Sequence, residues 1–160
     1  MVAAAVGAVD DELVTFHLKG IFGGIEGFDA KHDDPDSLIR KQFHTVSLAT
    51  LFDNLNVPSV IDYFSLDIEG AEYMVMEKFP FHKYKFLVLS VERPQQLRQV
   101  LEKNEYVYVM DHGDFGDELY VHKSIPNFNE IFERYATKPK PLWITLKCPH
   151  PREDCIAKGP

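Results

Sequence analysis

Residues 61–73 read Ile-Asp-Tyr-Phe-Ser-Leu-Asp-Ile-Glu-Gly-Ala-Glu-Tyr, and they join an apolar run to a group of carboxylates. The run ends at Asp67, and Glu69, Gly70 and Glu72 follow it directly. A short apolar run bounded by acid and glycine is typical of a buried strand. The stretch therefore predicts a strand whose carboxyl end bears functional carboxylates. The neighbouring strands of the sheet must come from the rest of the chain.

A second run has the same form. Residues 86–91 are apolar in character and also end in acid, at Glu92. A short helix that ends at Pro80 is predicted between the two strands, and two strands joined in this way form a parallel, right-handed βαβ unit. Ligands of parallel α/β sheets bind outside the carboxyl ends of the strands. Because adjacent strands are only about 4.8 Å apart, Asp67 and Glu92 are expected to converge on one pocket.

The rest of the pattern predicts both strands and helices. Strands are predicted at residues 2–9 and 12–18 and, as an antiparallel hairpin, at 106–110 and 118–122, whereas helices are predicted after the N-cap Ser47, after Pro94 and around residues 128–135. The glycine-rich residues 20–27 are expected to form a loop or a strand rim, and the polar residues 30–36 a solvated loop. The predicted fold class is α/β, with a mostly parallel sheet and an antiparallel C-terminal hairpin. Residues 1–136 are assigned to one domain and residues 137–160 to a Pro-rich tail.

Composition excludes some classes of partner. The chain has 160 residues, which is enough for one domain with a real core. Its net charge of −8 argues against nucleic acid, which requires clustered Lys and Arg. No apolar run has the length needed to span a bilayer, and the start lacks the basic region of a signal peptide. The expected location is the cytoplasm, or a membrane or secretory lumen if a longer parent chain carries a targeting segment.

Three acids are the main candidate catalytic residues: Asp67, Glu69 and Glu92. Clustered acids at one edge can bind a metal, accept hydrogen bonds from hydroxyl groups or act as a general base. The alternative for Glu69 and Glu72 is that they only complement the N-terminus of the following helix. No residue is assigned as a metal ligand.

Weaker candidates lie outside this edge. His112 is in the predicted hairpin loop, where polar residues are common because the chain turns. Cys148, His150 and Cys155 could ligate zinc, but a fourth ligand is not evident, and a disulfide or two idle thiols is the simpler interpretation.

A family resemblance rests on four segments. Residues 61–92, IDYFSLDIEGAEYMVMEKFPFHKYKFLVLSVE, resemble the core of the FkbM-type methyltransferases. HTVSLATLFDNL resembles the strand and helix before that core, AAAVGAVDDELVTFHL resembles the segment after the second helix of the family, and YVHKSIPNF resembles the end of the domain. The resemblance covers residues 2–130, roughly, and the Asp-x-Glu-Gly-x-Glu block with its flanks is its most specific part.

The resemblance implies a fold and a cofactor. FkbM-type enzymes are class I, S-adenosyl-L-methionine-dependent methyltransferases with a Rossmann-like, seven-stranded sheet whose last strand is antiparallel. The chain begins at what resembles the third strand of that sheet, so the resemblance implies the C-terminal part of an N-terminally truncated domain, without the glycine-rich cofactor loop. The resemblance implies that Asp67 and Glu69 face S-adenosyl-L-methionine and the substrate. Glu92 would lie beside them.

The resemblance also implies a reaction, namely methylation of an oxygen on a small molecule or sugar. The alternative is a degenerate, non-catalytic binding domain of the same family. A second alternative is the strand motif of family-18 chitinases, which Asp62, Asp67 and Glu69 match in part. That fold is a (β/α)₈ barrel of about 250 residues, which this chain is too short to form. A sheet with a free apolar edge further predicts a possible homodimer.

Overall fold

The computed structural model describes residues 4–18, 23–28, 39–112 and 116–136. The strands are β1 (Ala5–Gly7), β2 (Leu13–Leu18), β3 (Gly24–Ile25), β4 (Ile39–Ser47), β5 (Val60–Leu66), β6 (Lys85–Val91), β7 (Tyr106–His112) and β8 (Asp117–His122). The helices are α1 (Leu48–Asn54), α2 (Glu72–Met76), α3 (Arg98–Lys103) and α4 (Phe128–Ala136), with a 3₁₀ turn at Pro94–Gln96. The loop predicted at residues 30–36 and the tail predicted at 137–160 lie outside the described residues.

The strands form two four-stranded sheets, in the orders β1-β4-β2-β3 and β5-β6-β8-β7. In the second sheet β5 and β6 are parallel neighbours, with Leu66 opposite Val91. The parallel strand pair predicted around α2 is therefore confirmed. The hairpin of β7 and β8 is also confirmed, and β8 lies between β6 and β7.

The expectation of a mostly parallel sheet is wrong. Among the described strands, β1–β4 and β5–β6 pair in parallel, whereas β2–β3, β2–β4, β6–β8 and β7–β8 are antiparallel. A parallel pair requires a long crossover, usually a helix. The short β7–β8 connection leaves room only for an antiparallel turn. The fold is thus mixed α/β.

Aromatic packing holds α1 against β5 and β6. Ser47 caps α1 as predicted, because its side chain accepts a hydrogen bond of 3.2 Å from the amide of Thr50. The helix places Phe52 edge-on to Phe64, with ring centroids 5.9 Å apart. Phe64 in turn stacks on the buried Phe86 at 4.6 Å. This core fixes the two parallel strands, and hence the positions of their carboxyl ends.

No helix within the described ranges is both long and apolar enough to cross a membrane.

Candidate functional site

The carboxyl ends of β5 and β6 are tied together. The amide of Glu92 donates to the carbonyl oxygen of Leu66 over 3.0 Å, directly beyond the last paired residues. Carboxylate oxygens of Asp67, Glu72 and Glu92 all lie within 4.8 Å of one another. Asp67 and Glu92 are therefore close together, as the parallel pairing predicts, but Glu92 does not line the cavity that Asp67 lines. We call Asp67, Glu69, Glu72, Glu92 and Arg93 the strand-end site.

The turn after β5 has an unusual backbone. Glu69 has a φ of 56° and Gly70 a φ of 93°, both in the left-handed region. Glycine enters that region freely, but a residue with a side chain does so at a cost. The buried Glu72 offsets this cost, because its Oε1 accepts hydrogen bonds from the amides of Ile68 (3.0 Å) and Gly70 (3.2 Å). Glu72 therefore binds amides of the turn before α2, rather than the amides of the first turn of that helix.

Replacing Glu72 with alanine is expected to lower the free energy of unfolding by about 3 kcal/mol, because two amides lose a charged acceptor. Glu72→Gln retains an acceptor oxygen and should lose less than half of that amount. Urea denaturation of the two variants provides the comparison. Equal losses in both variants would show that Glu72 does not hold the turn through its acceptor oxygen.

Arg93 connects two of the predicted acids. Its Nη1 lies 3.5 Å from Oε2 of Glu69, and its Nη2 lies 3.2 Å from Oε1 of Glu92. Its backbone has a φ of 51°, again left-handed, and it precedes Pro94, which disfavours helical backbone at this position. Sequence reasoning missed Arg93, although a cation directly after the acidic end of a strand was a usable signal. The guanidinium brings Glu69 into one site with Glu92.

The environment of Glu92 favours its neutral form. Its pKa is raised to about 7. Burial is the largest cause and a hydrogen bond shared with Asp67 is the next; the charge of Asp67 and Glu69 acts in the same direction, whereas Arg93 opposes it. When Glu92 and Asp67 are both ionised, no donor among the described residues reaches the buried Oε2 of Glu92. The strand-end site therefore holds more negative charge than Arg93 alone compensates.

A cavity of about 270 Å³ opens beside this site. Asp67 and Glu69 line one side, and residues of the first sheet line the other, among them Val6, Phe16 and Ile25. β3 approaches closely, since a Cβ atom built on Gly24 would lie 3.4 Å from that of Glu69. The cavity thus has two carboxylates facing an apolar wall, an arrangement suited to a ligand with hydroxyl donors and a flat apolar part.

A larger cavity of about 550 Å³ lies elsewhere, over α3, β7 and β8. Its buried carboxylate, Glu118, accepts a 2.5 Å hydrogen bond from the hydroxyl of Tyr120 and pairs with the guanidinium of Arg98. The buried carboxylate of this cavity is therefore already satisfied on both oxygens, whereas Oε2 of Glu92 is not. We place the candidate site at the strand ends for that reason.

The described residues do not place any of the weaker candidate residues at this site. His112 is the last residue of β7, and its side chain lies outside the described residues, as do Cys148, His150 and Cys155. The catalytic and cofactor roles of Asp67, Glu69 and Glu92 stay predictions.

Comparison with known proteins gives one match. A family model described as the Methyltransferase FkbM domain matches residues 1–114. The matched range contains both parallel strand pairs and all five residues of the strand-end site. No curated protein and no solved structure matches the chain.

Proposed function

The chain belongs to the FkbM methyltransferase family, and from that premise we propose that it transfers a methyl group from S-adenosyl-L-methionine to an oxygen of a small molecule or sugar. The observation that carries the proposal is the convergence of Asp67 and Glu92 at the ends of two parallel strands, beside a cavity. Crevices at the carboxyl ends of parallel strands are where ligands bind in α/β sheets.

Asp67 and Glu69 are the residues that would hold the cofactor. Their carboxylates can accept hydrogen bonds from ribose hydroxyls, and their charge complements a sulfonium group. The apolar wall that includes Phe16 and Ile25 suits a purine ring. S-adenosyl-L-methionine supplies an electrophilic methyl group when it is bound. These residues fit that cofactor in type and placement.

Glu92 and Asp67 are the groups that would meet the acceptor. A carboxylate within hydrogen-bond distance of an acceptor hydroxyl can orient it or take its proton. Asp67 is exposed, so it can reach a substrate, whereas Glu92 is buried behind it. Glu69 contributes through the ion pair with Arg93, which fixes its carboxylate next to Glu92.

Calorimetric titration of the full chain with S-adenosyl-L-methionine tests the proposal. We expect saturable binding with one site per chain. Glu69→Gln should weaken it, whereas Asp62→Asn, an exposed acid of the same strand β5, should leave it unchanged. Absence of binding at millimolar ligand would refute the proposed function.

A non-catalytic binding domain is the second candidate function. The cavity of about 270 Å³ is slightly below the range of roughly 300–1,000 Å³ typical of small-molecule sites. That size favours a domain that holds only part of a cofactor. Binding of S-adenosyl-L-methionine without methyl transfer to any of a broad set of hydroxylated acceptors would support this candidate.

We further propose that two copies of the chain associate through β5. This strand pairs with β6 on one side and has no partner on the other among the described strands. Val60 and Tyr63 are half exposed along it, and Asp62 is its one charged residue. A free edge with little charge can pair with a second copy across a two-fold axis.

Sedimentation velocity over a range of concentrations tests this association. We expect a concentration-dependent dimer that Tyr63→Lys converts to a monomer, because a charge at an edge strand opposes pairing. Leu55→Lys, at a half-exposed position beyond α1, is the control and should leave the dimer intact. A monomer at every concentration would contradict the proposal.

A further inference from the structure

We propose that Asp67, Glu72 and Glu92 bind one divalent, oxygen-preferring cation at the ends of β5 and β6. The use of that cation in methyl transfer rests on the proposed function, but its binding does not. The three side chains come from two strand ends and the first turn of α2, so residues far apart in sequence contribute to one cluster.

The spacing of the three carboxylate oxygens limits which cations fit. One carboxylate oxygen from each residue lies within 4.8 Å of the other two. Ligands of Ca²⁺ are 2.3–2.6 Å from the ion, so two of them can be at most about 5 Å apart. Ligands of Mg²⁺ are 2.0–2.1 Å away, which limits their separation to about 4 Å. The spacing is within the dimensions of a calcium site, and it fits Mg²⁺ only if all three oxygens lie within about 4 Å of one another.

An independent observation also points to a ligand. Glu92 is only 8% exposed, and unless it shares a proton with Asp67 its Oε2 has no hydrogen-bond donor among the described residues. A buried carboxylate oxygen without a partner is unfavourable and is rarely retained. The Nη2 atom of Arg93 contacts the other oxygen, Oε1. A cation between Glu92 and its neighbouring carboxylates would satisfy Oε2 and offset their mutual repulsion.

The cluster is held in place and open on one side. The amides of Ile68 and Gly70 fix the carboxylate of Glu72, so that this ligand is oriented before any ion binds. Asp67 is exposed, which leaves coordination positions for water or for an acceptor hydroxyl. A hydroxyl bound to such an ion loses its proton more readily. Ca²⁺ takes six to eight oxygen ligands and Mg²⁺ usually keeps several waters, so three carboxylates leave positions that water or substrate oxygens would fill.

Calorimetric titration of the chelator-treated full chain with Ca²⁺, Mg²⁺ and Mn²⁺, without S-adenosyl-L-methionine, tests the inference. We expect saturable binding with one ion per chain and a dissociation constant below millimolar for at least one of these ions. The melting temperature should rise with the concentration of that ion, since a ligand of the folded state stabilises it. Glu92→Gln should weaken binding at least tenfold, whereas Glu102→Gln, an exposed acid on α3, should not change it.

Circular dichroism of each variant establishes whether it is folded. If Glu92→Gln does not fold, Asp67→Asn replaces it in the test, because Asp67 is exposed. Absence of binding up to millimolar ion, or equal affinity in Glu92→Gln, would overturn the inference. A parallel titration with S-adenosyl-L-methionine in chelator tests the proposed function separately. Cofactor binding without ion binding rejects the cation site alone, and ion binding without cofactor binding supports the cation site while it rejects the proposed function.

Discussion

Replacing Phe86 with alanine is expected to lower the free energy of unfolding by about 3–5 kcal/mol, the range measured for large aromatic residues removed from cores. Phe86 has 0% of its surface exposed. Its ring stacks on Phe64 at 4.6 Å and on Phe79 at 5.4 Å, so the cavity left behind would be bordered by rigid rings that cannot close over it. Urea denaturation at constant pH measures the loss.

Leu55→Ala is the matched control for this variant. Leu55 is a large apolar residue that is half exposed just beyond α1, and its removal should cost less than about 1 kcal/mol. Because Phe86 lies on β6, which ends directly before Glu92, the alanine variant should also lose affinity for any ligand of the strand-end site. A cost for Phe86→Ala no larger than that of Leu55→Ala would contradict the described core.

Asp67→Asn is expected to slow methyl transfer at least a hundredfold, the lower end of what a positioned acid or base contributes. The change removes a negative charge at an exposed position and retains the size of the side chain, so the melting temperature should change little. Formation of S-adenosylhomocysteine in the presence of a set of hydroxylated acceptors measures the rate.

Asp62→Asn makes the same chemical change five positions earlier on β5, where the side chain is exposed and distant from the strand end. Its rate should equal that of the unmodified chain. Unchanged turnover in Asp67→Asn would remove Asp67 from the reaction, and equal losses in both variants would indicate a general effect of charge.

The parts of the fold that local pattern determines could be predicted from the sequence. The apolar run of β6 is nearly continuous because that strand lies in the core. The prediction of a buried strand is wrong for β5, which is an edge strand with four of its seven residues exposed, although acid follows it as predicted. The N-cap Ser47 and the first-turn Pro94 mark helix starts for reasons that lie within a few residues. The convergence of Asp67 and Glu92 then follows from the parallel pairing alone.

The parts that depend on distant pairing could not be predicted in the same way. β4 (Ile39–Ser47) is mostly exposed and includes Arg40, Lys41 and Gln42, so its composition does not indicate a strand. It forms because it pairs with β2 on one side and β1 on the other. The position of β8 between β6 and β7 is likewise a property of the whole sheet. Together with the antiparallel pairs β2–β3 and β2–β4 of the other sheet, it accounts for the error in the predicted strand directions.

Part of the strand-end site could not be predicted from the sequence either. The roles of Glu72 and Arg93 depend on left-handed backbone at Glu69 and at Arg93 itself. Residues with side chains adopt that conformation rarely, and only when the surrounding structure enforces it. The sequence therefore pointed to the acids at the strand ends, and of the two contacts that organise them only that of Arg93 had a usable signal, its place directly after Glu92.

The location of cofactor binding distinguishes the strand-end site from the larger cavity over α3, β7 and β8. Amide chemical shifts of the isotope-labelled chain, recorded by NMR during titration with S-adenosyl-L-methionine, report which residues meet the ligand. We expect the largest changes in chemical shift at residues 67–70 and at Glu92 and Arg93. Little change is expected at Tyr108 and Tyr120 in the other cavity. Changes centred on Tyr108 and Tyr120, with the strand-end residues unaffected, would contradict this expectation.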